Sequence, residues 1–143
     1  MNPFQSLSNY ERFVYTLQRR YPSVQQSTLT VATRGRGIAT LVGELHFANN
    51  YRLVVSEILT WDNGPLLIER YGYEVWYAGE KIYWYDPQPH PHDPILASTY
   101  PHHKHVPPEI KHHRIPAPGM RFDDPNLPLL IEEIERRIDA AQR

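Results

Sequence analysis

The stretch "YRLVVSEILTWDNGPLLIERYGYEVWYAGEKIYWYD", residues 51–86, decides the fold. Three blocks, 51–59, 66–77 and 81–86, are rich in the β-branched and aromatic residues that fit a pleated, half-buried surface. Between them lie "WDNGP" at 61–65 and Ala78-Gly79, both with turn chemistry. Links this short permit hairpins but exclude the dozen-residue crossovers that parallel strands require. The segment predicts three antiparallel strands.

Upstream, "GIATLVGELHF" at 37–47 and "VQQSTLTVATR" at 24–34 add two more strands around the turns "GRG" and "ANN". Ahead of them "SLSNYERFVYTLQRRYP" carries Tyr10, Phe13, Val14 and Leu17 at helical spacing and stops at Pro22. Ser8 with Glu11 has the spacing of a capping box, which predicts the helix start. Downstream, residues 87–128 hold eleven of the fourteen prolines. Proline lacks the amide proton a ladder needs, so an ordered loop lying over the sheet is expected there. "LPLLIEEIERRIDAAQR" at 127–143 then closes the chain with an apolar stripe of Leu130, Ile131, Ile134 and Ile138. The expectation is one α+β domain, residues 1–143. It has a five-stranded antiparallel meander, a helix at each end and a long His/Pro-rich loop.

Composition narrows the function. Lys plus Arg number 15 against 16 Asp plus Glu, so no global basic field draws in nucleic acid. Cysteine is absent, which removes thiol catalysis and cysteine-ligated zinc. No apolar run reaches a membrane span, and "MNPFQSLSNYERF" has no secretory pattern, so the cytoplasm is the expected location.

Seven of the eight histidines fall between His90 and His113. Imidazoles titrating near neutrality can supply a general acid and a general base together. In an extended "PHHKH", residues 101–105, His103 and His105 share one surface while His102 and Lys104 share the other. His103 and His105 are the expected acid and base. Lys104 or His102 is expected to stabilise phosphate charge. Asp86, followed by a proline and four residues before His90, is placed to orient a histidine or to cap the turn. Glu44 is expected to be solvated or to pair with Arg52 or Arg34 across strands. Glu57, flanked on its own face by Val55 and Leu59, reads equally as a site residue and as a solvated or cross-strand paired one. Tyr71, Tyr73 and Tyr85 crowd the last hairpin, where they are core packing or a platform for RNA bases. A two-residue turn would set Tyr73 opposite Trp84, and a three-residue turn opposite Tyr83.

Three imidazoles and a water would also suit zinc, so "HPH" at 90–92 and "HHKH" at 102–105 keep a metal-binding hydrolase or module open as an alternative. The spacing matches no established metal motif, and the reading expects no cofactor and assigns no metal ligand. "HH" at 112–113, with Lys111 and Arg114, reads as a solvated basic rim.

"RYGYEVWY", "IYWYDPQPH" and "YPHHKHVPPEIK" together resemble the TumE family of bacterial toxin–antitoxin toxins. That pattern has Tyr-x-Tyr (Tyr71, Tyr73), then Tyr/Trp-Asp-x-x-Pro-His (Tyr85, Asp86, Pro89, His90), then Pro-His-His-Lys-His (Pro101 to His105). It covers residues 71–107. This chain departs from it in carrying Trp84 where many relatives have Arg, and in a longer Pro-rich extension. The resemblance implies growth inhibition through RNA and an antitoxin with a helix-turn-helix domain. Combined with the residues, it predicts histidine-dependent, metal-independent ribonuclease action, with Tyr71, Tyr73, Tyr85 and Glu57 holding substrate. The alternative outside catalysis is an interaction protein that docks a partner through residues 87–128.

Overall fold

The computed structural model describes residues 2–142. Helix α1 (Leu7–Tyr15) and the single turn α2 (Leu17–Arg20) form from the predicted N-terminal segment. The start differs from the expected capping box: Ser6, not Ser8, is the N-cap, its hydroxyl accepting from the Asn9 amide at 3.0 Å. Glu11 lies too far into the helix to complete a box with Ser6.

Among the described residues eight strands follow in one antiparallel sheet, correcting the expected five. They are β1 (Gln26–Ser27), β2 (Thr30–Gly35), β3 (Ile38–His46), β4 (Tyr51–Thr60), β5 (Leu67–Tyr77), β6 (Glu80–Asp86), β7 (His103–His105) and β8 (Arg114–Pro116). The meander from β2 to β6 is the predicted one. The first predicted strand divides because β1 and β2 pair with opposite ends of β3. Between them the chain presses on Gly43, where a Cβ would stand 2.5 Å from the Thr28 carbonyl oxygen, and where φ is +142°. The other two strands lie inside the Pro-rich region. β7 pairs with β6 and β8 with β7, extending the sheet. Three-residue strands between prolines have too few positions to display a period, so no sequence pattern revealed them. A 3-10 turn at Pro94–Thr99, capped by Asp93, occupies part of the remainder.

Helix α3 (Leu127–Ala141) arises where predicted; Arg143, the last residue of the expected helix, lies outside the described residues. Its Leu130, Ile131, Ile134 and Ile138 join Tyr10, Phe13, Val14 and Leu17 in one core with Leu41, Leu53, Val55, Tyr73 and Val75 of the sheet. Both helices meet the same sheet face: Tyr10 reaches Glu57, and Glu133 reaches Tyr85.

The last hairpin follows neither predicted register. Ala78 and Gly79, both at positive φ, make the two-residue connection, with Tyr77 opposite Glu80. A bulge then leaves Ile82 unmatched, since Trp76 pairs with Lys81 but Val75 with Tyr83. Tyr73 therefore faces Tyr85. The bulge sends Tyr83 and Tyr85 to the helix-covered face and Trp84 and Asp86 to the other. Glu44 meets Arg52 at 3.3 Å, as expected.

Candidate functional site

Asp86 ends β6, and the β6–β7 ladder sets His103 opposite it and His105 opposite Trp84. Because directly paired residues share a face, one face collects Asp86, His103, His105 and Trp84. Arg114 of β8 joins them opposite His105.

The contacts are close. His103 Nε2 lies 3.0 Å from Asp86 Oδ1, His105 Nε2 lies 3.1 Å from Asp86 Oδ2, and the two Nε2 atoms are 3.2 Å apart. His103 and His105 are buried, 1% and 4% exposed, while the Asp86 side chain keeps 25% of its surface. Each ring is held from behind. His103 Nδ1 is 3.2 Å from the Pro101 carbonyl oxygen and His105 Nδ1 is 3.0 Å from that of Ile110. The Trp84 indole stacks on His105 with centroids 4.0 Å apart and donates Nε1–H to Asp86 Oδ2 at 3.2 Å. The Gln88 amide donates to Asp86 Oδ1 at 2.9 Å, so the aspartate caps its turn as well as meeting the histidines. Burial pushes the Asp86 carboxyl up, but hydrogen bonding with His103, His105 and the Gln88 amide outweighs it and holds the group well below the usual carboxylate range.

His90 stands at the rim, its ring edge-on to His103 at 5.0 Å. Desolvation, then the Arg114 charge, lowers its pKa. His90 and Arg114 line one cleft of about 550 Å³, bounded by Pro89 and Pro94. Asp86 opens into a neighbouring cleft of about 500 Å³ with Arg70, Tyr71, Gln88 and Phe122. There Tyr71 Oη and His102 Nδ1 lie 2.6 Å apart, and the His102 ring packs 4.4 Å from Phe122. Burial, then the Asp86 charge, raises the Tyr71 pKa, so the phenol keeps its proton and donates to His102. Desolvation, followed by the His103 charge, lowers the His102 pKa.

The remaining predicted residues lie elsewhere. Lys104 points to the helix-covered face, 3.4 Å from Glu133. Tyr85 also donates to Glu133, at 2.8 Å. Glu57 is 1% exposed and accepts from Tyr10 at 2.6 Å and Tyr73 at 2.5 Å, while Asn126 donates to Tyr73. Burial raises the Glu57 pKa to about 7, although the hydrogen bonds from Tyr10 and Tyr73 pull it down. Glu57, Tyr73 and Tyr85 are thus sealed beneath the helices, and the structure brings Asp86, His90, His103 and His105 together without them. Arg114, read from the sequence as part of a solvated rim, sits at the centre's edge, and its buried Nε has no hydrogen-bond partner among the described residues. Trp84 reads in the sequence as a strand residue and as a departure from the family pattern, with no role at the site.

A family model described as "Toxin TumE" matches residues 13–138. The chain belongs to the TumE family. The match takes in the end of α1, α2, all eight strands and most of α3, well beyond the 71–107 block that carries the resemblance in sequence. Membership of TumE makes this a toxin-family protein, for which an antitoxin partner is implied. Comparison with curated proteins and with solved structures gave no match. Among the described residues, no helix of this TumE member is long and apolar enough to cross a membrane.

Proposed function

We propose that this chain is the toxin of a toxin–antitoxin pair and arrests growth by cleaving RNA in the cytoplasm at the Asp86–His103–His105 centre. The observation that carries the reading is the meeting of two rigidly held imidazoles with one carboxylate, at 3.0 and 3.1 Å, beside two clefts. Arg114 supports a phosphate-bearing substrate, because a guanidinium keeps its charge and can fork onto phosphate oxygens. His90, at the cleft rim, is the group best able to reach a substrate oxygen. Tyr71, His102 and Phe122 offer ring faces in the adjoining cleft, in keeping with recognition of unpaired bases. The partner is an antitoxin with a helix-turn-helix domain.

Metal independence, expected from the sequence, does not enter this proposal. Carbonyls only accept hydrogen bonds, so Pro101 and Ile110 favour a ring proton at Nδ1 and leave each Nε2 facing the carboxylate. The test is induced expression in bacteria of wild type, His105→Gln and His112→Gln, with mapping of RNA 5′ ends. Arrest and new RNA ends with wild type and His112→Gln, both lost with His105→Gln, are expected. Arrest that survives His105→Gln unchanged would remove this centre. Arrest without new RNA ends would favour a protein that acts by docking a partner.

A further inference from the structure

Two imidazole nitrogens and one carboxylate converge, their nearest atoms 3.0 to 3.2 Å apart. With Nδ1 of His103 and His105 against backbone carbonyls, each ring turns its Nε2 toward Asp86 and toward the other ring. Asp86 Oδ1 also accepts from the Gln88 amide and Oδ2 from the Trp84 indole, which fixes the carboxylate facing the rings. A single divalent cation meets all three groups at once.

We infer that Asp86, His103 and His105 are the protein ligands of one divalent first-row transition-metal ion. The inference deepens the function proposed above for the same centre and rests on that reading only for the phosphodiester the ion would meet.

The separations fit. Ligand atoms bound at about 2.05 Å lie roughly 2.9 Å apart at octahedral angles and roughly 3.3 Å apart at the tetrahedral angle. The two Nε2 atoms, 3.2 Å apart, fall in that interval, and so does each one's contact with the carboxylate, His103 at 3.0 Å from Oδ1 and His105 at 3.1 Å from Oδ2. Among the described residues, this is the His/Asp/Glu set whose ligand atoms all lie within 4.8 Å of one another. Its supports are those of metal sites generally: each imidazole donates its far N–H to a carbonyl, and the carboxylate is itself hydrogen-bonded. Two imidazoles and one carboxylate suit zinc, iron, cobalt, nickel or manganese better than the all-oxygen shells of calcium and magnesium. Three protein ligands leave a coordination position open, as in catalytic rather than structural sites. Arg114 and His90 line the cleft beside it. An ion there would polarise a phosphoryl oxygen, with Arg114 sharing the negative charge.

The test uses the full chain, untagged and stripped with chelator, then dialysed separately against zinc, cobalt, manganese, nickel and, without oxygen, ferrous ion. Elemental analysis is expected to find about one equivalent of at least one ion, and cobalt is expected to give visible ligand-field absorption. Asp86→Asn and His105→Gln should weaken binding by at least about tenfold, whereas the exposed His112→Gln should bind as wild type does. Wild type that binds none of the ions would overturn the inference. So would binding that survives Asp86→Asn and His105→Gln but falls with His112→Gln. Should those variants misfold, nitrogen-15 spectra of wild-type imidazoles decide the matter. Zinc must shift the Nε2 resonances of His103 and His105 while Nδ1 stays protonated, and unchanged resonances would refute the site. Binding is measured without RNA or cells. Its failure leaves the toxin reading standing, and a metal-binding chain that arrests no growth removes the toxin reading alone.

Discussion

Lys104 and Glu133 meet at 3.4 Å on the helix-covered face of the sheet, with the ammonium 4.2 Å from the centre of the Tyr83 ring. The side chains on either side of Lys104 in the sequence, His103 and His105, point the opposite way to Asp86. Strand alternation separates three adjacent residues into a structural contact and a candidate centre. A double-mutant cycle with Lys104→Met and Glu133→Gln is expected to give a coupling of about 1 kcal/mol by urea denaturation. Coupling near zero, together with loss of growth arrest in Lys104→Met at unchanged stability, would return Lys104 to the chemistry.

Glu57 links α1 to the sheet through Tyr10 and Tyr73, and its raised pKa of about 7 makes the link sensitive to pH. An unfolded chain releases this proton near the ordinary glutamate value of 4.5, whereas the folded one keeps it to about 7. Between those values the native state binds more protons, so this group's contribution to stability falls as pH rises and levels off above 7. Relative to Glu57→Gln, wild type should lose stability on the order of 3 kcal/mol from pH 4.5 to 8. Urea unfolding of both proteins across that range checks this; parallel curves would contradict it.

Trp84 contributes to the centre twice, by stacking on His105 and by donating to Asp86. Trp84→Phe keeps a ring and deletes the N–H. Metal affinity should drop about tenfold with the fold retained, as for other hydrogen bonds that orient ligands. Competition with a chromophoric chelator measures the change, and wild-type affinity in Trp84→Phe would show that the indole N–H is dispensable.

Arg114 lies beside the proposed ion without being a ligand to it. Arg114→Met is therefore expected to keep the metal stoichiometry and to weaken RNA binding by at least about tenfold, the loss of one or two charge-assisted hydrogen bonds to phosphate. Filter binding of a single-stranded RNA, paired with elemental analysis, separates the two. Loss of metal with RNA binding unchanged would reverse the assignment.

Gly43 offers a control on the fold alone. A Cβ there meets the Thr28 carbonyl oxygen at 2.5 Å, and φ of +142° is one that side chains disfavour. Gly43→Ala should destabilise by about 2 kcal/mol or more in thermal or urea unfolding. A stability equal to wild type would mean that the crossing of β1 to β2 can relax.

Much of the site was legible locally. The alternation of "HKH" places His103 with His105 and away from Lys104, and Asp86 before Pro87 reads as a histidine partner or a turn cap, two roles the structure combines. The pairing of Glu44 with Arg52 followed from neighbouring strands. What misled was length and reach. β7 and β8 have three residues each, too few for a period, and Arg114 looked like one cation among several. Glu57 and Tyr73 looked available to substrate because one strand face carries no mark of what covers it.

The amino-acid sequence by itself determined the spans of the long strands, the apolar stripes of the two helices and the sides on which successive strand residues stand. These follow from periods of 2 and 3.6 that act within a few residues. Only the tertiary structure decided which side chains meet. The bulge at Ile82 turned Tyr85 inward toward Tyr73 and Asp86 outward. The pairing of β7 with β6 then carried His103 and His105 across seventeen and nineteen positions to that carboxylate. Register and edge pairing are settled by the packing of whole faces against helices, and no short window of sequence contains that information.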